Sequence, residues 1–213
     1  MFDSTEERVR RVELYLEAQR IMGLYANYLS TGEFGKIPEL FALDVPTVRA
    51  EMLWGVYRDA EGIRRLYEGY FPALAGKEAP GTEHLQALEV PIIKVAKDCK
   101  TVKGVWVCPG YITAEKDGKF SGYWSWQKCA CDFIVTEQGL KIWHFHVYGL
   151  FESLYGTTAV MPSGTVRFAG EISAEFAPDG PPTTTFPLSR ESIYPYEPAV
   201  PAAYTVFDLD YAY

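Results

Sequence analysis

The sequence predicts an α+β domain in which a curved antiparallel sheet wraps N-terminal helices into a cone with one pocket, followed by an extended C-terminal arm. Three observations predict it. Apolar residues recur at a helical period over the first thirty positions, alternation typical of strands takes over from Glu83, and beyond Glu152 periodicity gives way to proline and tyrosine. The boundaries that follow are a cone domain over 1–151 and an arm over 152–213.

The first element is a helix from about Ser4 to Leu29. Ser4 or Thr5 can cap it, Glu6 and Glu7 lie in its first turn where the helix dipole favours negative charge, and Ser30-Thr31-Gly32 ends it. Val9, Val12, Leu16, Ala18, Ile21, Met22, Tyr25 and Leu29 supply its apolar period. A short helix over about Gly35 to Phe41 is interrupted before Pro46. Val48 to Trp54 reads as a strand, and Ala60 to Tyr70 as a third helix closed by Pro72. Four strands follow: Glu83 to Lys94, Thr101 to Thr113, Phe120 to Thr136 and Leu140 to Phe151. The turns Lys97-Asp98-Cys99, Lys116-Asp117-Gly118 and Glu137-Gln138-Gly139 make them a meander.

The arm is too aromatic to hang free. Tyr155, Phe168, Phe176, Phe186, Ile193, Tyr194, Tyr196, Tyr204, Val206 and Phe207 need cover, so it is expected to pack on its own domain or on a neighbouring subunit of a homodimer or homotrimer.

Composition excludes several functions. With 28 acidic against 20 basic residues the formal charge is -8, a poor match for nucleic acid or an anionic membrane. No apolar run approaches a membrane span and no signal-like segment opens the sequence, which predicts a cytoplasmic protein. Cys99, Cys108, Cys129 and Cys131 lack the spacing of a disulfide framework or a zinc site, and no metal is expected.

The segment Lys141-Ile-Trp-His-Phe-His-Val-Tyr-Gly-Leu-Phe151 carries two of the three histidines. Strict alternation places Ile142, His144, His146 and Tyr148 on one face and Trp143, Phe145 and Val147 on the other. Imidazoles on a covered strand either find partners or face a cavity. Alternation also groups Trp106 and Cys108 with Gly104 and Gly110, and Trp124 and Trp126 with Lys128, Ala130 and Asp132, without saying which face is inside. Trp106, Trp126 and Lys128 are therefore candidate substrate contacts, with packing for the tryptophans and a solvated rim for the lysine as the plainer readings. Tyr57, at a strand-to-helix turn, is a further candidate that packing could equally explain.

In order along the chain, Tyr25-Ala-Asn-Tyr-Leu-Ser-Thr-Gly-Glu-Phe, Leu40-Phe-Ala, Gly62-Ile-Arg-Arg-Leu, Glu83-His-Leu and Gly139-Leu-Lys-Ile-Trp-His-Phe-His resemble the SnoaL-like branch of the nuclear-transport-factor-2-like superfamily over about residues 5–151. That group includes ketosteroid isomerase, scytalone dehydratase, bile-acid 7α-dehydratase, polyketide cyclases and diarylpropane formaldehyde lyases. The resemblance implies acid-base catalysis inside the cone without metal or organic cofactor. It makes His84 the counterpart of the dehydratase general base and Tyr25 that of an active-site tyrosine. The aspartate expected five residues after the tyrosine is Ser30 here, and the arginine expected late on the last strand falls at an apolar position near Leu150. Without that aspartate the histidine must be oriented otherwise, and Glu51 and Asp132 are the nearest strand carboxylates.

The function expected is a cofactor-independent lyase acting on an aromatic or polycyclic hydroxylated small molecule, by dehydration or retro-aldol-like release of formaldehyde. His84, His146 and Tyr25 are the expected catalytic groups. His144, Tyr28, Glu51, Tyr57, Trp106, Trp126, Lys128 and Tyr148 are the expected substrate contacts, with His84 and the His144/His146 face converging on one cavity. An isomerase or cyclase of the same substrates, or a noncatalytic binding or assembly module, is the alternative.

Overall fold

Ser4 opens α1 (Thr5–Ser30) through a reciprocal capping box: its hydroxyl accepts from the Glu7 N–H, and the Glu7 carboxylate accepts from the Ser4 N–H. These details come from a computed structural model, which describes residues 4–76, 80–116, 118–155, 172–184 and 197–213. The buried stripe of α1 is Leu14, Ala18, Ile21, Met22, Tyr25 and Ala26. Val9, Val12 and Leu16, expected in that stripe, are more than half exposed. At 100° per residue they fall on the opposite side of the helix, so α1 is apolar on two faces and only one meets the sheet.

After two single 3-10 turns (Phe34–Lys36 and Pro38–Leu40), the expected strand over Val48 to Trp54 is a tight hairpin, β1 (Arg49–Met52) and β2 (Gly55–Arg58). A Cβ on Gly55 would lie 2.4 Å from the Pro178 ring and 2.6 Å from the Gly180 carbonyl, so the arm crosses this turn only because it is glycine.

The third helix does not close at Pro72. It runs as α2 (Asp59–Arg64), a π-helical stretch Arg65–Tyr70, and α3 (Phe71–Ala75). Proline lacks the N–H that an α-helix would direct at residue 68, and a wider turn ahead of it removes that demand, so the helix tolerates Pro72 inside it.

The expected strand over Glu83 to Lys94 is also two, β3 (Glu83–Gln86) and β4 (Ile92–Val95), both antiparallel to β5 (Thr101–Lys116). β6 (Lys119–Thr136) and β7 (Gly139–Leu154) complete the meander. The seven strands run β2-β1-β7-β6-β5-β3 with β4 also on β5. Because β1 pairs parallel to β7, the sheet is mixed and mostly antiparallel rather than wholly antiparallel.

A register shift between Asp132 and Phe133 breaks the alternation expected for β7. Ile142 therefore joins Phe145 and Val147 in the helix-facing core, while His144, His146 and Tyr148 face away from the helices. Trp143 stacks on His144 with ring centroids 4.4 Å apart.

Two described stretches of the arm lie against this domain. Residues 172–184 cover the open edge of β2: the Val56 N–H donates to Gly180, the Asp179 N–H donates to Val56, and the Arg65 guanidinium pairs with the Asp179 carboxylate at 2.5 Å. Phe176 rests where a Cβ on Gly69 would be, 2.8 Å from its ring. Residues 204–213 lie on the sheet face turned away from the helices, with Lys97 and Asp98 N–H groups donating to Tyr204 and Thr205. Phe207 is half-buried against Trp143, but Val206 and Tyr155, also expected to be covered, are exposed. Phe168, Phe186, Ile193, Tyr194 and Tyr196 lie outside the described residues. Among the described residues no helix is long and apolar enough to cross a membrane.

Candidate functional site

Between the helices and the inner sheet face lies an apolar cavity of about 50 Å³. Its polar groups come from Tyr25 on α1, Tyr70 on the π-helical stretch, His84 and Gln86 on β3, and Gln127 on β6. Period two explains two of these at once, since His84 and Gln86 are alternate residues of one short strand and point the same way. The strand is held in place by Ser30, at the position where the resemblance expects an aspartate. Its hydroxyl accepts from the Gln86 N–H at 3.2 Å, so it fastens α1 to β3 rather than contacting an imidazole.

The His84 imidazole has no hydrogen-bond partner among the described residues, and burial alone pushes its pKa below the ordinary 6.5. It is therefore neutral at pH 7, with a free lone pair beside apolar walls. The Tyr25 phenol is fully enclosed; burial, then its tyrosine neighbour, raises its pKa, so its proton is firmly held. Tyr67 donates to the Tyr25 oxygen at 3.2 Å, which leaves the Tyr25 O–H to donate elsewhere. Gln86 uses its amide N–H on the carbonyls of Cys108 and Pro109, and Gln127 donates to Ser125, which fixes both side chains. Leu53 and Leu74 are half-buried lining residues, and Leu53 lies over Gly149, where a Cβ would meet it at 2.9 Å.

His144 and His146 do not join His84. They lie on the opposite face of the sheet, because Phe145 and Val147 between them supply the apolar surface that Tyr25 and the helices need; Phe145 and Tyr25 ring centroids are 4.7 Å apart. The expected convergence of the three histidines on one cavity is thus corrected to two separate places.

On that outer face Asp132 is fully buried and takes three donors: Lys103 Nζ at 2.7 Å, His144 Nδ1 at 2.9 Å and the Tyr213 N–H at 2.8 Å. Burial holds the His144 pKa below its ordinary value despite the opposing pull of Asp132. Asp132 accepts only, so neutral His144 carries its proton on Nδ1. Nearby, His146 Nε2 lies 3.2 Å from a Glu51 oxygen and 2.9 Å from the Thr184 hydroxyl. Burial raises the Glu51 pKa, but hydrogen bonds from His146 and Thr183 outweigh it and hold the carboxyl below its usual range. Tyr148 stacks on His146 at 3.9 Å.

The remaining expected contacts lie elsewhere. Tyr57 is buried and donates to the Phe176 carbonyl, so it anchors the arm. Tyr28 lies under the Lys36 ammonium, and Trp106 packs edge-on to Phe133 with its ring filling the space above Gly104. Trp126 stacks on Phe151, and Lys128 reaches the Glu197 carbonyl at 3.4 Å. None of these five lines the inner cavity. Sequence reasoning missed Gln86, Gln127, Tyr67 and Tyr70. Only Gln86 carried a readable signal, its place two residues after His84; the others depend on which strand or helix face turns inward. Among the described residues no cluster of three or more histidine, cysteine or acidic side chains could hold a metal ion.

Residues 10–146 match the SnoaL-like domain family, and the chain belongs to that family. The fold is that of the nuclear-transport-factor-2-like superfamily. A superfamily protein of Salmonella enterica serovar Typhimurium LT2 superposes with a TM-score of 0.51 at 15% identity, over 63% of this chain and 89% of its own. The hexachlorocyclohexane dehydrochlorinase LinA-type3 of Novosphingobium barchaimii LL02 gives 0.56 at 9% identity, over 75% and 99%. A putative scytalone dehydratase of Novosphingobium aromaticivorans DSM 12444 gives 0.50 at 14%, over 76% and 99%. No curated protein gives a significant sequence match. Structural relatives of this chain thus include lyases that act on small molecules, at identities that establish the fold alone.

Proposed function

We propose that the chain is a cofactor-independent lyase in which His84 is the general base and Tyr25 the hydrogen-bond donor to the departing group. One observation carries the reading: an unpartnered, neutral imidazole shares an apolar cavity with a phenol whose oxygen already receives a hydrogen bond from Tyr67. His84 takes a proton from carbon, the C–H electron pair becomes the new double bond, and the leaving group departs with its own pair. Tyr25 stabilises that charge by donation rather than by giving up its proton, since its pKa is raised. The imidazolium then supplies the proton that makes water or a hydrogen halide.

The cavity's small volume favours a small substrate. A single benzene-like ring needs about 150 Å³, three times the space present. Any ring therefore enters only when lining side chains move, and a small body needs less of that movement than a polycyclic one. We assign a compact hydroxylated or halogenated substrate of one ring or less, admitted when Leu53 and Leu74 swing aside.

The test is a screen of such compounds for loss of water or of hydrogen halide by mass, with free formaldehyde as the signal for carbon-carbon cleavage. A mass-neutral product would place the enzyme among isomerases or cyclases instead, and saturable binding without turnover would make it a binding module. Tyr67→Phe separates donor from packing. It keeps the ring and removes the hydrogen bond to Tyr25, so turnover should fall several-fold, about 1 kcal/mol for one neutral hydrogen bond. Unchanged turnover in that variant would show that Tyr25 needs no second tyrosine.

A further inference from the structure

We infer that the outer sheet face carries a second small-molecule site, distinct from the His84 cavity, that binds a hydroxylated aromatic carboxylate. Arg49 and Arg58 are directly opposite each other in the β1–β2 hairpin, and like charges so placed repel. The Arg58 guanidinium has no carboxylate partner among the described residues: Asp179 pairs with Arg65 and accepts only the Arg58 main-chain N–H, while Arg49 donates to an oxygen of Tyr213, and Glu51 lines the same cavity with its carboxylate held by Thr183 and His146. Both arginines line one cavity of about 300 Å³. An anion between them removes the repulsion, and a carboxylate matches the planar donors of guanidinium groups.

The same cavity contains His146, one two-residue step along the strands from the arginines, since Arg49 is in register with His144 and Glu51 with His146. That step is about 7 Å, the length of a para-substituted ring. Glu51 accepts only, so the neutral form of His146 that suits this contact carries its proton on Nε2 and presents the Nδ1 lone pair to a hydroxyl. Tyr148 and Tyr213 supply aromatic walls to this cavity and to an adjoining one of about 460 Å³, so the chamber has the size of a ligand pocket.

Calorimetric titration of the full chain with 4-hydroxybenzoate, benzoate and phenol tests the assignment. 4-Hydroxybenzoate should bind, benzoate and phenol more weakly. Arg58→Gln, at an exposed position, should weaken 4-hydroxybenzoate about tenfold or more, and His84→Ala by less than twofold. Binding that survives Arg58→Gln but is lost in His84→Ala would place the ligand in the inner cavity and overturn the proposal, as would absence of binding at millimolar probe. Equal affinity for benzoate and 4-hydroxybenzoate would overturn the role given to His146.

Discussion

Replacing His84 with alanine should lower turnover by about 10²-fold or more while leaving the fold intact, the scale on which a positioned acid-base group acts. The imidazole has no hydrogen-bond partner among the described residues, so its removal strands no buried donor or acceptor. It faces a cavity, so the space it leaves adds to one already present. Of the other polar lining groups, Gln86 and Gln127 do not titrate, and Tyr25 and Tyr70 hold their protons more firmly than a free tyrosine because they are buried, Tyr70 up to about 12. Turnover within twofold of the parent on the compound identified by the screen would remove His84 from the mechanism.

Asp132→Ala should be the most destabilising single change on the outer face, by about 3–5 kcal/mol, because it leaves a buried charge without its partner. Lys103 Nζ would keep only the Tyr211 carbonyl and the faces of Phe207 and Tyr213, and His144, whose Nε2 already lacks a partner in the described structure, would lose its Nδ1 acceptor as well. The Tyr213 N–H loses its acceptor in the same step, so residues 204–213 should loosen before the rest of the domain. Denaturant unfolding measures the loss, and hydrogen exchange locates it. A melting curve superposable on the parent's would mean that the Lys103–Asp132 pair contributes nothing net.

Much of the fold was legible because its signals are local. The capping box needs only Ser4 and Glu7, and the turns at Cys99, Gly118 and Gly139 all take positive φ. What stayed hidden depends on partners distant in sequence. Parallel pairing of Arg49–Glu51 with His144–His146 joins segments nearly a hundred positions apart. A one-residue shift opposite Asp132 moved Ile142 to the helix side, and no composition signal marks it.

The candidate site was legible in its residue types more than in its arrangement. His84 and Tyr25 line the same cavity, whereas the two histidines of β7 lie on the other face of the sheet, where His146 lines a different cavity. Polar groups on a covered strand do need partners, and theirs are Asp132, Glu51 and Thr184 beneath the arm. Burial of an arm on the outer face cannot be read from alternation, which is symmetric between the two faces.

The pH dependence of kcat/KM on the identified substrate tests the central assignment most directly. The sign follows from burial, which depresses the folded-state pKa of His84 below 6.5, so the neutral base is complete at pH 7 and is lost only as pH falls through a midpoint below 6.5. The same shift makes the unfolded chain the better proton acceptor, so stability also declines on acidification from about 6.5. An acidic limb with its midpoint below 6.5, abolished in the residual activity of His84→Gln, is the predicted result. A limb that persists unchanged in His84→Gln would contradict it and assign the proton transfer to another group.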